Sequence, residues 1–245
     1  MQSYIVLGSG SGIGAELARM LAGPGVCLLL HTGRNVGNLS AVADTCRAAG
    51  AEVETCLGLT GEAPLFDAVS AWLGAVEGGL TGFVFAAGYA KRGTIDDTTP
   101  EALSDALMAM PQAFHRMAQI VAPHLRDKTG RMLCVSAFGA HRTKTHSFAP
   151  TAPAKAALEA QVRVFAANLA PRGISVNAVV PGYVEKEPGT PSSLTAEEWA
   201  AVTAGIPMGR VGRRREIAAL GKFLLSEDAG YITGQSLHVN GGLTL

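Results

Sequence analysis

The stretch Tyr4-Ile5-Val6-Leu7-Gly8-Ser9-Gly10-Ser11-Gly12-Ile13-Gly14 decides how the rest of the chain is read. Tyr4 to Leu7 reads as a short buried strand, the glycines as a tight turn, and Ile13 to Leu21 as a helix. Glycine lets a backbone approach a phosphate closely. A helix N-terminus adds free N–H groups and the positive end of a dipole. The spacing is G-x-x-x-G-x-G through Gly8, Gly12 and Gly14. The commoner dinucleotide fingerprint, G-x-G-x-x-G, needs a glycine where Ile13 stands. A glycine-rich turn that binds nothing has the same composition; its place between a strand and a helix is what points to a dinucleotide.

Working outward, further apolar runs read as strands at Val26–His31, Phe83–Ala86, Met132–Val135, Ser175–Val179 and Leu237–Val239, and Glu52–Leu57 alternates like a strand. Helical stretches lie between them, near 39–49, 63–76, 153–170 and 215–225, and over 100–125 as one helix or two, punctuated by Pro111 and Pro123. Strands alternating with helices predict an α/β fold. The expectation is a doubly wound, Rossmann-like arrangement: a seven-stranded, mainly parallel sheet with helices on both faces. No linker or charge block divides the pattern, so 1–245 reads as one domain. The polar, proline-rich stretch 183–205 follows the sixth strand and reads as a substrate lid.

Composition narrows the partners. Twenty basic groups balance twenty acidic ones among 245 residues, so the long-range pull expected of a nucleic-acid binder or a peripheral membrane protein is missing. With 48% hydrophobic and 16% charged residues, the chain is far from the signature of disorder. No apolar run approaches the ~18 residues of a membrane span, and Met1 to Leu7 has neither the basic start nor the cleavage site of a signal peptide. Cys27, Cys46, Cys56 and Cys134 show no paired spacing and read as reduced packing residues. A soluble cytoplasmic protein without a metal site is expected. Arg213-Arg214-Arg215 reads as a solvated face or an oligomer contact.

The glycine spacing resembles that of the short-chain dehydrogenase/reductase family, and further segments extend the resemblance along the chain. Ala86-Ala87-Gly88 stands where the family writes Asn-Asn-Ala-Gly. Gly130 to Ser136 is similar to its fifth strand, and Ile174-Ser175-Val176-Asn177-Ala178-Val179-Val180-Pro181-Gly182 to its sixth strand and Pro-Gly turn. Ile206 to Arg210, Phe223 to Ser226, Ile232 to Gln235 and Val239 to Gly242 are similar to its C-terminal signature. The resemblance implies a nicotinamide cofactor held by Gly8, Ser11, Gly12, Ile13, Gly14, Arg34, Leu59, Ala87, Gly88, Lys155, Pro181, Gly182 and Val184. Gly33 occupies the position of the acid that binds a ribose hydroxyl, and Arg34 follows it. Arginine suits a 2′-phosphate, which favours NADP over NAD, unless Arg34 is a solvated loop residue and no cofactor binds. Gly58 replaces an aspartate expected after the third strand.

The same resemblance implies a catalytic Asn, Ser, Tyr and Lys, and most of these positions are changed. The family's Tyr-x-x-x-Lys falls on Thr151-Ala152-Pro153-Ala154-Lys155. Lys155 is retained, whereas Thr151 lacks an acidic phenol and reads equally well as a helix N-cap. The serine position is Ala137; Ser136 precedes it and is expected to bond locally. The asparagine position is Met110, and Lys186 replaces a threonine after the Pro-Gly turn. Surrogate acids are sought in His141, Lys144 and His146, which border the family's substrate site, and in Tyr183 and Tyr89. Each reads otherwise as a bystander.

Three readings follow. One is an NADP-dependent oxidoreductase that reduces a small carbonyl or enone substrate with a non-standard proton donor. A second is a catalytically silent subunit paired with an active paralogue, since the family assembles as dimers and tetramers, with itself or with paralogues. A third is a dinucleotide-binding sensor.

Overall fold

The apolar runs are four to seven residues long and bounded by glycine or polar residues, too short for helices and right for buried strands. The computed structural model describes residues 1–142, 147–187 and 194–245. Its strands are β1 (Gln2–Leu7), β2 (Val26–Thr32), β3 (Glu52–Leu57), β4 (Gly82–Phe85), β5 (Arg131–Val135), β6 (Ser175–Pro181) and β7 (Ser236–Val239). They form one sheet in the order β3-β2-β1-β4-β5-β6-β7. Every pairing is parallel, so "mainly parallel" becomes wholly parallel. The strand order changes direction between β1 and β4, and a crevice opens there at the carboxyl ends of the strands.

Eight α-helices lie among the described residues: α1 (Gly12–Leu21), α2 (Val36–Ala48), α3 (Ala63–Ala75), α4 (Pro100–Leu107), α5 (Ala113–Val121), α6 (Ala152–Leu169), α7 (Ala196–Ala204) and α8 (Arg214–Leu224). Alternation along β1 splits the core in two. Ile5 and Leu7 face a cluster with Phe83, Phe85, Phe114 and residues of α3, α5 and α6. Tyr4 and Val6 face one with Leu28, Leu30, Val84 and residues of α1, α2 and α8. Each fully buried large side chain contributes about 1.5–3 kcal/mol. The four cysteines are free thiols. Burial pushes Cys56 up to about 11 and Cys134 up to about 12, which keeps both protonated.

The 100–125 stretch forms α4 and α5 joined by a π-helical turn over Met108–Gln112. Pro111 has no N–H to give and its ring crowds the preceding turn, so the helix widens there instead of closing regularly. Within 183–205, Thr195 and Glu198 make a capping box at the start of α7. Arg92 reaches Glu198 at 3.2 Å, joining α7 to the segment after β4. Lys144 and His146 lie outside the described residues, as do 188–193. No helix among the described residues is long and apolar enough to cross a membrane.

Candidate dinucleotide cleft

The crevice between β1 and β4 is a cleft of about 900 Å³. Gly8, Ser11, Gly12, Ile13, Gly14, Arg34, Leu59, Ala87 and Gly88 all line it, so the glycine turn and three other expected segments converge. The turn needs its glycines for space as well as for conformation. Gly8 has φ +83°, and a Cβ there would lie 2.5 Å from the Ala87 backbone nitrogen. A Cβ on Gly14 would lie 2.3 Å from the Gly8 carbonyl oxygen. These contacts bring β1, α1 and the end of β4 together and leave backbone N–H groups of the helix N-terminus beside the cleft. The residues present therefore fit a dinucleotide pyrophosphate.

Sequence reasoning missed His31. It is 1% exposed at the end of β2, and its Nδ1 accepts the Gly8 N–H at 3.2 Å. Its Nε2 lies 2.8 Å from the Gly58 carbonyl, to which it donates. Those two partners fix one neutral tautomer, and burial lowers the pKa below the usual histidine value. The signal was a histidine ending an otherwise apolar run. Gly58, read only as a lost aspartate, supplies the carbonyl and has φ +142°.

On the other side of Gly88 the expected catalytic positions are rearranged. Lys155 is buried, and its Nζ donates to the Val135 carbonyl at 2.8 Å. A Cβ on Gly88 would meet Met110 Sδ at 2.9 Å and Lys155 Nζ at 3.3 Å, so both side chains crowd the Gly88 backbone. Met110, expected at the asparagine position, is fully buried, and its thioether offers no proton to relay. Burial brings Lys155 down to about 8.

Two expectations, for Thr151 and Ser136, are corrected here. Thr151 precedes α6 but makes no side-chain cap. Its buried Oγ1 instead accepts the Lys91 N–H at 3.2 Å and donates to the Lys91 carbonyl at 3.4 Å. Ser136 does not bond locally, because its Oγ donates to Oε1 of Glu159 at 2.5 Å. Glu159, 3% exposed, also accepts from His141 Nε2 at 2.7 Å, and the His141 ring sits 4.6 Å from that of His238. Ser136 and His141 are thus committed to a buried carboxylate of α6, and neither lines the cleft. Tyr183 packs its ring on Phe138 (4.8 Å) and Trp199 (6.1 Å), also away from the cleft lining. Its phenol is raised, mainly by burial.

Lys155, Pro181, Gly182 and Val184 are not brought to the cleft wall. Gly182 presses on Asn240, and Val184 pairs with Gly212. Tyr89 does line the cleft, with His31, Glu62 and Asp105 as neighbouring titratable groups; its phenol is raised by burial and then by Asp105. In the arginine run Arg213 and Arg215 are exposed, whereas Arg214 is not a solvated residue: its side chain is 19% exposed and pairs with Glu187 at 2.8 Å. No group of three metal-ligating side chains occurs among the described residues.

A wholly parallel sheet, a glycine turn at its switch point and a cleft above it define a nucleotide-binding oxidoreductase scaffold. A family model described as enoyl-(acyl carrier protein) reductase matches residues 8–244, and the chain belongs to the short-chain dehydrogenase/reductase family. It is 33% identical over 259 residues to 1-cyclohexenylcarbonyl-CoA reductase of Streptomyces collinus, covering 100% of this chain and 87% of that one. A short-chain dehydrogenase/reductase from Serratia marcescens superposes with TM-score 0.92 at 28% identity, covering 100% of this chain and 98% of the other. The angucycline C-6 ketoreductase LanV, solved with bound NADP, superposes with TM-score 0.90 at 25% identity over 99% and 95% of the two chains.

Proposed function

We propose that this protein binds NADP(H) in the β1–β4 cleft and reduces a carbon–carbon double bond conjugated to a carbonyl, without the family's tyrosine acid. The observation that carries the reading is a complete phosphate turn beside a catalytic corner holding Thr151, Ala137 and Met110. When bound, the cofactor supplies a hydride. Gly8, Gly12, Ile13 and Gly14 hold its phosphates, and Arg34, exposed at the rim, meets the 2′-phosphate. An isolated ketone needs a proton delivered to its oxygen as the hydride arrives. A conjugated double bond needs less, because the enolate left by hydride addition takes its proton from solvent. The enoyl reductase family model and the relative named for a cyclohexenylcarbonyl thioester support this choice of substrate. The chain acts in the cytoplasm as a dimer or tetramer in this reading.

The test is NADPH oxidation with a panel of enones, enoyl thioesters and simple ketones. Turnover is expected with the conjugated substrates, at a rate at least tenfold above the ketones. Tyr89→Phe, His141→Ala, His146→Ala and Tyr183→Phe then report on a side-chain acid; unchanged rates in all four leave solvent as the proton source. The silent-subunit reading draws on one observation: both bonds of the Thr151 hydroxyl are spent on the Lys91 backbone. Absence of turnover, together with co-purification of a paralogue carrying the full Ser/Tyr/Lys set, would establish it instead.

A further inference from the structure

The phosphate turn is met by an anion belonging to the chain itself. Glu187 reaches back to the start of α1, where its Oε1 accepts the Gly12 N–H at 3.2 Å, across 175 positions of sequence. The same oxygen lies 2.8 Å from a guanidinium nitrogen of Arg214, at the start of α8. Arg214 also approaches Glu185, with Nε 3.9 Å from that carboxylate. The pair is partly withdrawn from water, with 19% of the Arg214 side chain and 23% of that of Glu187 exposed. Gly12 and its neighbours line the cleft, and their N–H groups are the donors a bound phosphate would use. A carboxylate and a phosphate cannot share one such donor, and like charges at that spacing repel.

We propose that Glu187 is an intramolecular placeholder for the dinucleotide phosphate: it occupies the N-terminus of α1 in the free protein, is held there by Arg214, and is displaced when the cofactor enters. This rests on the dinucleotide reading of the cleft. Displacement leaves the Arg214 guanidinium beside the incoming phosphate, so one cation serves the resident anion and then the ligand. Meanwhile the free protein keeps a satisfied helix terminus and a paired arginine. The contact makes cofactor affinity self-limiting and ties it to the segment that follows the Pro181-Gly182 turn.

Glu187→Gln keeps the shape and removes the charge, and Glu187→Ala removes the acceptor as well. Dissociation constants are measured for NADPH by nicotinamide fluorescence and for inorganic pyrophosphate by calorimetry, at fixed low ionic strength, with thermal unfolding confirming a folded variant. Both phosphate ligands are expected to tighten by about threefold to tenfold, the scale of a charge at a helix terminus. Adenosine, which carries no phosphate, is expected to bind unchanged. Equal or weaker binding of NADPH and pyrophosphate by both variants would overturn the proposal. If NADPH binds neither wild type nor variant while pyrophosphate tightens, the dinucleotide reading fails and the placeholder stands.

Discussion

Lys155 keeps its expected place in α6, yet its ammonium is given to the Val135 carbonyl, with Met110 beside it. The sequence offered candidate residues for each family position. Where each side chain points was not legible there, because that depends on partners distant in the chain. Ser136 and His141 were readable as polar residues near a site. Only the fold shows that Glu159, 23 positions from Ser136, claims both. Thr151 invites a direct check. Thr151→Val is expected to leave the NADPH oxidation rate within about twofold, because the hydroxyl takes no part in proton transfer. It should still cost about 1–3 kcal/mol in denaturant unfolding, because the Lys91 N–H loses its acceptor. His31 gives the clearest pH effect. Its pKa is lowered by burial, so the folded protein holds it neutral and its contribution is complete above the unfolded value, about 6.5. Stability is lost as pH falls from there toward the lowered folded value, since the unfolded chain takes up the proton first. The melting temperature should fall more between pH 7 and 5.5 in wild type than in His31→Asn; parallel profiles would contradict this.

At the scale of elements, periodicity located the strands closely because buried parallel strands are short, apolar and punctuated. The exceptions have local causes. Pro111 sits inside a helix-compatible sequence, and the π-helical turn that accommodates it leaves no pattern of its own. The stretch 183–205 reads as a polar lid, with Pro188 and Pro191 breaking its first half, while Thr195 and Glu198 signal a helix at its end. Thr195→Ala should cost about 1 kcal/mol. That loss is expected as faster amide exchange across Ala196–Ala204, with the exchange of the central strands unchanged. The turn between β1 and α1 should be much less tolerant. Gly14→Ala places a Cβ against the Gly8 carbonyl, backbone that cannot move aside without shifting β1. A loss of more than about 2 kcal/mol in unfolding free energy is expected, with cofactor binding lost as well. A variant with native stability and affinity would show that the turn is looser than described.

For the molecule as a whole, balanced charge argued against nucleic-acid and membrane-surface partners without naming any function. What the whole structure adds is a separation between its halves. The glycine turn, Arg34, Leu59, Ala87 and Gly88 line one cleft, and His31 is bonded to both Gly8 and Gly58. Beyond Gly88, Lys155, Thr151 and Ser136 are engaged in internal hydrogen bonds and Met110 is buried. The most direct test is a titration of the wild-type chain with NADPH and with NADH, followed by nicotinamide fluorescence. The account predicts saturable NADPH binding at least about tenfold tighter than NADH, the scale of one bidentate arginine–phosphate contact at Arg34. Absence of binding by both cofactors, or tighter binding of NADH, would contradict it.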